Sequence, residues 1–235
     1  MQLPFFYIDP SLSGSALIQL DEDNSRHVIQ VLRMRTGEQM NLTDGSGLLL
    51  KTEIVDDHKK HCQVRVVHSQ HAERKGRQLT MAISLLKNTA RFEWFLEKAT
   101  ELGVSRIVPL LCERTEKQKF RMDRMRGILI SAMLQSQQCW LPQLTEPIRF
   151  TQVDEWMNRG GAHYVAHCMP EYRSSLSSLP AQQEGLIAIG PEGDFSGEEL
   201  HLAIEKGFIP VSLGETRLRT ETAGMAAATL FLLKA

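Results

Sequence analysis

Leu186-Ile187-Ala188-Ile189-Gly190-Pro191-Glu192-Gly193-Asp194-Phe195-Ser196-Gly197-Glu198-Glu199 decides the fold class of this chain. It opens with a short, wholly apolar run ending in glycine, the pattern of a strand buried on both faces. A turn containing glycine and proline follows. Then comes Ser196 with Glu199 three residues later, a capping box that starts a helix. Beyond it Leu200, Ala203 and Ile204 share one helical face and are expected to be buried. Strand, glycine turn and amphipathic helix in direct succession form the repeating unit of an α/β domain with parallel strands.

The same alternation extends outward from this stretch. Apolar runs at 79–86 (LTMAISLL), 106–111 (RIVPLL), 163–168 (HYVAHC) and 208–213 (FIPVSL) predict further strands. Phe92, Phe95, Leu96, Ala99 and Leu102 fall at helical spacing, with Gly103 placed to end that helix. Met125, Ile128, Leu129, Ala132 and Met133 predict another. The first part of the chain reads differently, as a small β-rich unit. A hairpin is expected over 40–55 around Asp44-Gly45-Ser46-Gly47, and a strand over 62–67. Asp23, Asn24 and Ser25 are expected to cap a helical turn leading into Val28, Val31 and Leu32. The polar stretch 69–78 (SQHAERKGRQ) lacks periodicity and reads as a linker, which places domains at 1–70 and 71–235.

With 235 residues, 42% hydrophobic and 23% charged, the chain can build one large or two small globular domains, and a disordered or fibrous protein is excluded. The longest apolar run, 225–233, falls well short of the ~20 residues a membrane helix needs. The N-terminal MQLPFFYIDP has no basic segment leading into an apolar core, so a cytoplasmic protein without a membrane partner is expected. Cys62, Cys112, Cys139 and Cys168 form no CxxC pair and are expected to be reduced thiols. His58, His61, Cys62, His68 and His71 lack paired ligand spacings, so no metal site is expected. A formal net charge of −1 offers no whole-chain attraction for nucleic acid. Any RNA surface must be local, as in 113–126, where Arg114, Lys117, Lys119, Arg121, Arg124 and Arg126 face only Glu113, Glu116 and Asp123. A run of this size reads equally as a solvated helix face.

Two loops carry the chemistry: 190–199 (GPEGDFSGEE) and 213–224 (LGETRLRTETAG), each directly after an expected strand. Ligands of open α/β sheets bind outside the carboxyl ends of strands, and glycine there lets peptide groups approach a ligand closely. Either loop alone reads first as a tight strand-to-helix turn hinged at Gly193 or Gly214. GxxxxGK[ST] and GxGxxG are both absent, which excludes a P-loop enzyme and an ordinary Rossmann dehydrogenase. The glycine-rich first turn of Rossmann-type methyltransferases is missing as well.

Gly190-Pro191-Glu192-Gly193, Leu218-Arg219-Thr220-Glu221-Thr222-Ala223 and the helix from Phe92-Glu93-Trp94 to Lys98-Ala99-Thr100-Glu101-Leu102-Gly103 occur together with several shorter matches. These are His27-Val28, Val31-Leu32-Arg33, Asp44-Gly45, Glu113-Arg114 and Gln135-Ser136. In this order, and over essentially the whole chain, they closely resemble the RsmE family of 16S ribosomal RNA uridine methyltransferases, of the SPOUT class. The resemblance implies a PUA-like β-barrel that binds RNA, followed by an α/β SPOUT domain with a trefoil knot folded around S-adenosyl-L-methionine. It also implies a homodimer that methylates N3 of a uridine in the 16S rRNA of the small ribosomal subunit.

Under that resemblance the cofactor walls are His167, Gly190, Pro191, Glu192, Gly193, Leu213, Gly214, Leu218, Thr222 and Ala223, joined by Cys168. Arg219 is expected to stabilise charge on the uracil carbonyls, and Glu221 to act as the base or its orienting partner. Arg33, Arg35, Arg114, Arg121 and Arg124 are the expected RNA contacts. The chain departs from the family pattern at Asp194, where many relatives carry glycine, and at Leu134, Gln138 and Pro4. Arg217 stands one place later than the arginine of many relatives. Two rival readings are a non-enzymatic RNA-binding module of ribosome assembly and, lower, a metal-dependent hydrolase using the histidines above. Binding of S-adenosylmethionine separates the first from a methyltransferase, and metal analysis tests the second.

Overall fold

The structure, a computed structural model, describes residues 3–116, 119–157, 160–168 and 174–234. Two compact units divide it: Met1–Arg74 joined by Met133–Leu141, and Lys75–Ala132 joined by Pro142–Ala235.

The first unit contains β1 (Phe5–Tyr7), β2 (Leu17–Gln19), the short helix α1 (Glu22–Arg26), β3 (Gln39–Thr43), β4 (Leu48–Asp56) and β5 (Gln63–His71). Its sheet runs β1-β3-β4-β5-β2, with β1 parallel to β3 and the other pairs antiparallel. The expected hairpin is β3–β4. Ile18, Val28, Met40, Leu42, Leu50, Ile54 and Val64 close one apolar core. Two expectations are corrected. The supposed linker begins as strand, because β4 is long enough to pair Leu50 with Ser69, Leu49 with Gln70 and Leu48 with His71. Helix α1 is capped by Asp21, whose carboxylate accepts from Asn24 N at 2.7 Å, rather than by Asp23, Asn24 or Ser25. Ser25 is buried instead, and its hydroxyl accepts from Cys62 N at 3.1 Å. Residues 133–141 return from the later part of the chain to the hairpin turn. There Gly47 N donates to Cys139 O at 2.7 Å and Leu141 N to Gly45 O at 2.8 Å.

The second unit contains β6 (Gln78–Ser84), α2 (Thr89–Glu101), β7 (Arg106–Leu111), α3 (Met122–Gln135, whose last residues group with the first unit), β8 (Gln143–Leu144) and β9 (Ile148–Arg149). After these come β10 (Ala162–Ala166), β11 (Ser174–Ser175), β12 (Glu184–Ile189), α4 (Gly197–Glu205), β13 (Ile209–Ser212) and α5 (Thr220–Leu232). Every strand pair is parallel, in the order β11-β13-β10-β12-β6-β7-β8 with β9 also on β7. The continuous apolar runs are explained by burial on both faces. Ala82, Val108, Leu110, Leu186 and Ala188 pack with Phe150, Phe195, Ala203 and Phe208 on one face. On the other, α5 comes against β6, and α2 packs against α5.

The capping box of α4 is formed as expected, with Glu199 N donating to Ser196 Oγ and Ser196 N to Glu199 Oε2. Ile204, however, is 43% exposed: the helix buries a narrower stripe, centred on Ala203, than its spacing suggested. Among the described residues no helix is long and apolar enough to cross a membrane, and no group of three His, Cys, Asp or Glu side chains could hold a metal.

Gly224 in α5 shows how closely that helix sits. A Cβ there would come within 2.7 Å of Phe95 Cε2 and 2.9 Å of Ile83 Cδ1. Gly224→Val is therefore expected to destabilise the protein by ~1–3 kcal/mol through overpacking. The thermal midpoint should fall by several degrees, and an unchanged melting curve would contradict this packing.

Candidate cofactor and active site

The chain leaves β6 for β7 on one side of the sheet and returns as β12 on the other. Such a reversal opens a crevice at the carboxyl ends of the strands. A cavity of about 480 Å³ lies at that end, lined by residues following β7, β10, β12 and β13 and by the first turn of α5. Small-molecule sites are typically about 300–1,000 Å³.

The first wall is the turn after β12. Gly190 sits close against Phe195: an added Cβ would lie 3.0 Å from Phe195 N and 3.1 Å from its ring, so any larger residue would push on that turn. Asp194 N donates to Pro191 O at 2.9 Å, closing the turn. Asp194 itself has φ 63°, a left-handed conformation that aspartate tolerates better than most residues. Its carboxylate accepts from Phe195 N and from Cys168 N, each at 2.8 Å, and so ties the turn to the end of β10. Arg114 Nη1 donates to Gly193 O at 2.6 Å from the loop after β7.

The second wall, after β13, includes Leu213, Gly214, Thr216, Arg217 and Leu218. Gly214 has φ 146°, a backbone suited to glycine. The two walls are joined by Thr220, whose buried hydroxyl donates to Gly190 O at 3.0 Å. The cavity therefore combines apolar surface from Ile189, Pro191, Leu213 and Leu218 with peptide groups of tight loops, and carries Arg114, Arg217, Glu192 and Asp194 as its charged side chains.

Most of the expected cofactor residues meet here. His167, Gly190, Pro191, Glu192, Gly193, Leu213, Gly214, Leu218 and Ala223 all line the cavity, as does Cys168. Thr222 does not. It is exposed, and Thr220, two residues earlier, is the threonine that faces the wall. Sequence reading also passed over Asp194, Thr216 and Arg217 as lining residues, because irregular loops carry no periodicity to show which side chains turn inward.

Arg219 and Glu221 lie outside the lining. Arg219 is the exposed N-cap residue of α5, set between Leu218 and Thr220, which both line the cavity. Glu221 is buried and pairs with Arg91 Nε of α2 at 3.7 Å.

The expected RNA-contacting arginines are distributed over both units. Arg33 and Arg35 are exposed in the first. In the second, Arg121 is exposed, Arg114 braces the cavity turn, and Arg124 grips Glu93 of α2 through Nε at 2.5 Å and Nη2 at 2.9 Å. That contact holds the Glu93 carboxyl below its ordinary range. Its contribution is present at neutral pH and lost as the solution is acidified through the lowered value. Lys117 lies outside the described residues.

Comparison with known proteins agrees with this geometry. The chain matches the model of an RNA methyltransferase domain over residues 73–232 and that of an RNA methyltransferase PUA domain over residues 20–67. It is 33% identical to the ribosomal RNA small subunit methyltransferase E of Synechocystis, over 92% of this chain and 73% of that one. A solved structure from Porphyromonas gingivalis, described as a probable rRNA-methyltransferase, superposes with a TM-score of 0.90 at 37% identity, covering 97% of this chain and 96% of that one. The enzyme of the same name as the Synechocystis protein from Neisseria gonorrhoeae, solved bound to S-adenosyl methionine, superposes with a TM-score of 0.86 at 28% identity, covering 97% and 96%. A PUA domain, a parallel-sheet methyltransferase domain and likeness over nearly the full length place this chain in the ribosomal RNA small subunit methyltransferase E family, the RsmE family.

Proposed function

We propose that this protein methylates N3 of a uridine in the 16S ribosomal RNA of the small subunit, using S-adenosylmethionine and acting as a cytoplasmic homodimer. The observation that carries the reading is the single cavity formed where the 190–195 turn and the 213–218 loop meet. Its volume of about 480 Å³ and its mixture of apolar walls and peptide groups suit a nucleoside with a charged tail. The relative from N. gonorrhoeae holds S-adenosyl methionine. The trefoil-knot threading implied by family resemblance is part of the same proposal, in keeping with a sheet whose last strand, β13, lies beyond β10.

When bound, S-adenosylmethionine supplies an already activated methyl group on a sulfonium. The protein's part is then mainly positioning, which can contribute roughly 7–11 kcal/mol in a well-oriented site. The neutral imide of uracil is a poor nucleophile, so the N3 proton must leave. Arg219, exposed and set in sequence between the cavity-lining Leu218 and Thr220, is proposed to donate charge-assisted hydrogen bonds to the uracil carbonyls as negative charge develops. Glu221, buried against Arg91, is proposed as an orienting group rather than the proton acceptor. N3 is occupied in a base pair, so the target nucleotide must be unpaired or flipped out.

Labelled S-adenosylmethionine incubated with unmodified 16S rRNA should yield methylated RNA with a reverse-transcription stop at one uridine. Absence of transfer would reject the function. Cofactor placement has its own readout. Cys168 is exposed and lines the cavity, while burial pushes the Cys62 thiol up to about 11 and the Cys112 thiol to about 12. In native protein near neutral pH a maleimide should therefore label Cys168 first and leave Cys62 and Cys112 untouched, and S-adenosylmethionine should slow the Cys168 reaction several-fold. Unprotected labelling would move the ligand elsewhere. RNA affinity should fall steeply with added salt if exposed arginines such as Arg33 and Arg121 contact phosphates; salt-independent binding would remove them from the interface.

A further inference from the structure

The segment 27–35 of the first unit contains two backbone irregularities side by side. His27–Val31 forms a π-helical turn, in which Leu32 N reaches back to His27 O at 2.9 Å. Directly after it, Arg33 has φ 59°, a left-handed conformation that arginine rarely adopts. Val28, Ile29 and Met34 are buried on either side and anchor the turn in the core. The residues between them face outward: Val31 is 67% exposed and Leu32 42% exposed.

π-Turns and strained non-glycine residues concentrate at functional sites, because the surrounding fold must hold them in place. Single exposed apolar residues are ordinary. Two adjacent ones, pushed out of a well-anchored turn beside an arginine, need an occupant. Charge indicates which. Arg35 lies 3.8 Å from Asp57, but Arg33 forms no ion pair among the described residues, so the tip presents an apolar pair next to an uncompensated guanidinium.

A phosphate backbone answers the guanidinium. A paired A-form helix offers little apolar surface to Val31 and Leu32, since its base faces are stacked away and its shallow groove displays hydroxyls. Unstacked bases do offer it. We infer that Val31, Leu32 and Arg33 form an RNA-reading tip, in which the apolar pair packs against an unstacked base of the ribosomal RNA and Arg33 holds the adjoining phosphate. The inference rests on the RNA-methylating function proposed above, and assigns to the first unit a preference for unpaired over paired RNA.

The test uses the full chain and two variants, V31S/L32S and R33G. S-adenosylmethionine binding and sedimentation serve as controls for folding and oligomeric state. Affinity is measured for in vitro transcribed 16S rRNA and for a fully paired RNA duplex over a series of salt concentrations. V31S/L32S should bind 16S rRNA roughly tenfold more weakly, bind the duplex almost as wild type does, and keep the wild-type salt slope. R33G should lower the salt slope by about one phosphate contact while raising the thermal midpoint, since glycine accepts the left-handed backbone without strain.

Wild-type affinity of V31S/L32S for 16S rRNA, or equal weakening for the duplex, would overturn the inference. So would a change in oligomeric state with RNA affinity intact, which would make the tip a contact between copies of the chain. If wild-type protein methylates RNA and V31S/L32S binds normally, only this inference falls. If wild-type protein neither binds nor methylates 16S rRNA, the proposed function falls with it.

Discussion

Replacing Arg219 by alanine is expected to slow methyl transfer to 16S rRNA by about 10²- to 10³-fold, the usual cost of removing one donor aimed at developing negative charge. Affinity for S-adenosylmethionine should stay close to that of wild type. The asymmetry follows from position. Arg219 is exposed and outside the cavity lining, while its neighbours Leu218 and Thr220 belong to the wall. Its side chain makes no capping hydrogen bond to α5, and the backbone bond from Ala223 N to its carbonyl, at 2.7 Å, survives the substitution. The variant should therefore melt like wild type. Single-turnover kinetics with labelled cofactor, together with calorimetric binding of the cofactor alone, check both halves. Full activity would remove Arg219 from the chemistry, and lost cofactor binding would make it a cofactor residue. Arg219→Lys should recover only part of the rate, since a point charge replaces a planar fork.

Asp194→Ala is expected to weaken S-adenosylmethionine binding by about one to two orders of magnitude. Two terms add. Alanine at φ 63° carries strain of roughly 1–2 kcal/mol that aspartate bears more easily. The Cys168 and Phe195 amides, each 2.8 Å from the carboxylate, lose their acceptor; the Cys168 bond is exposed and open to replacement by water, so the cost of about 1 kcal/mol falls chiefly on the part-buried Phe195 amide. Both terms fall on the turn that forms the first wall of the cavity, so the loss should appear in cofactor affinity more than in global stability. Asp194→Gly separates them. Glycine keeps the backbone free of strain but not the hydrogen bonds, and should fall between wild type and alanine. Equal affinities for all three proteins would show that the turn is held without the carboxylate. At a left-handed position that glycine would take most easily, the aspartate side chain substitutes local hydrogen bonds for conformational freedom.

The regular elements were the most legible. The run 106–111 is a strand over those residues, and the capping box at Ser196 and Glu199 starts α4 where its spacing placed it. These features are local, set by alternation, helical period and side-chain capping within a few residues. The site was legible less evenly. His167, Gly190 and Gly214 stand on the cavity because they follow strand ends directly. In α5 the choice between Thr220 and Thr222 could not be made from pattern. That helix is apolar around most of its circumference, so no stripe marks its inward face, and its rotation is set by Gly224 seated against Phe95 and Ile83. Glu221 turned out to face Arg91 rather than the cavity, for the same reason.

By itself the sequence determined a β-rich unit followed by a parallel-sheet unit, and two glycine loops at strand ends, because these depend on periodicity and turn chemistry between near neighbours. Only the tertiary structure decided that the loops after β12 and β13 enclose one cavity, that Asp194 and Arg217 belong to its walls, and that residues 133–141 fold onto the first hairpin. Those arrangements bring together residues tens of positions apart, and strand order and packing, which no local pattern encodes, determine which of them meet.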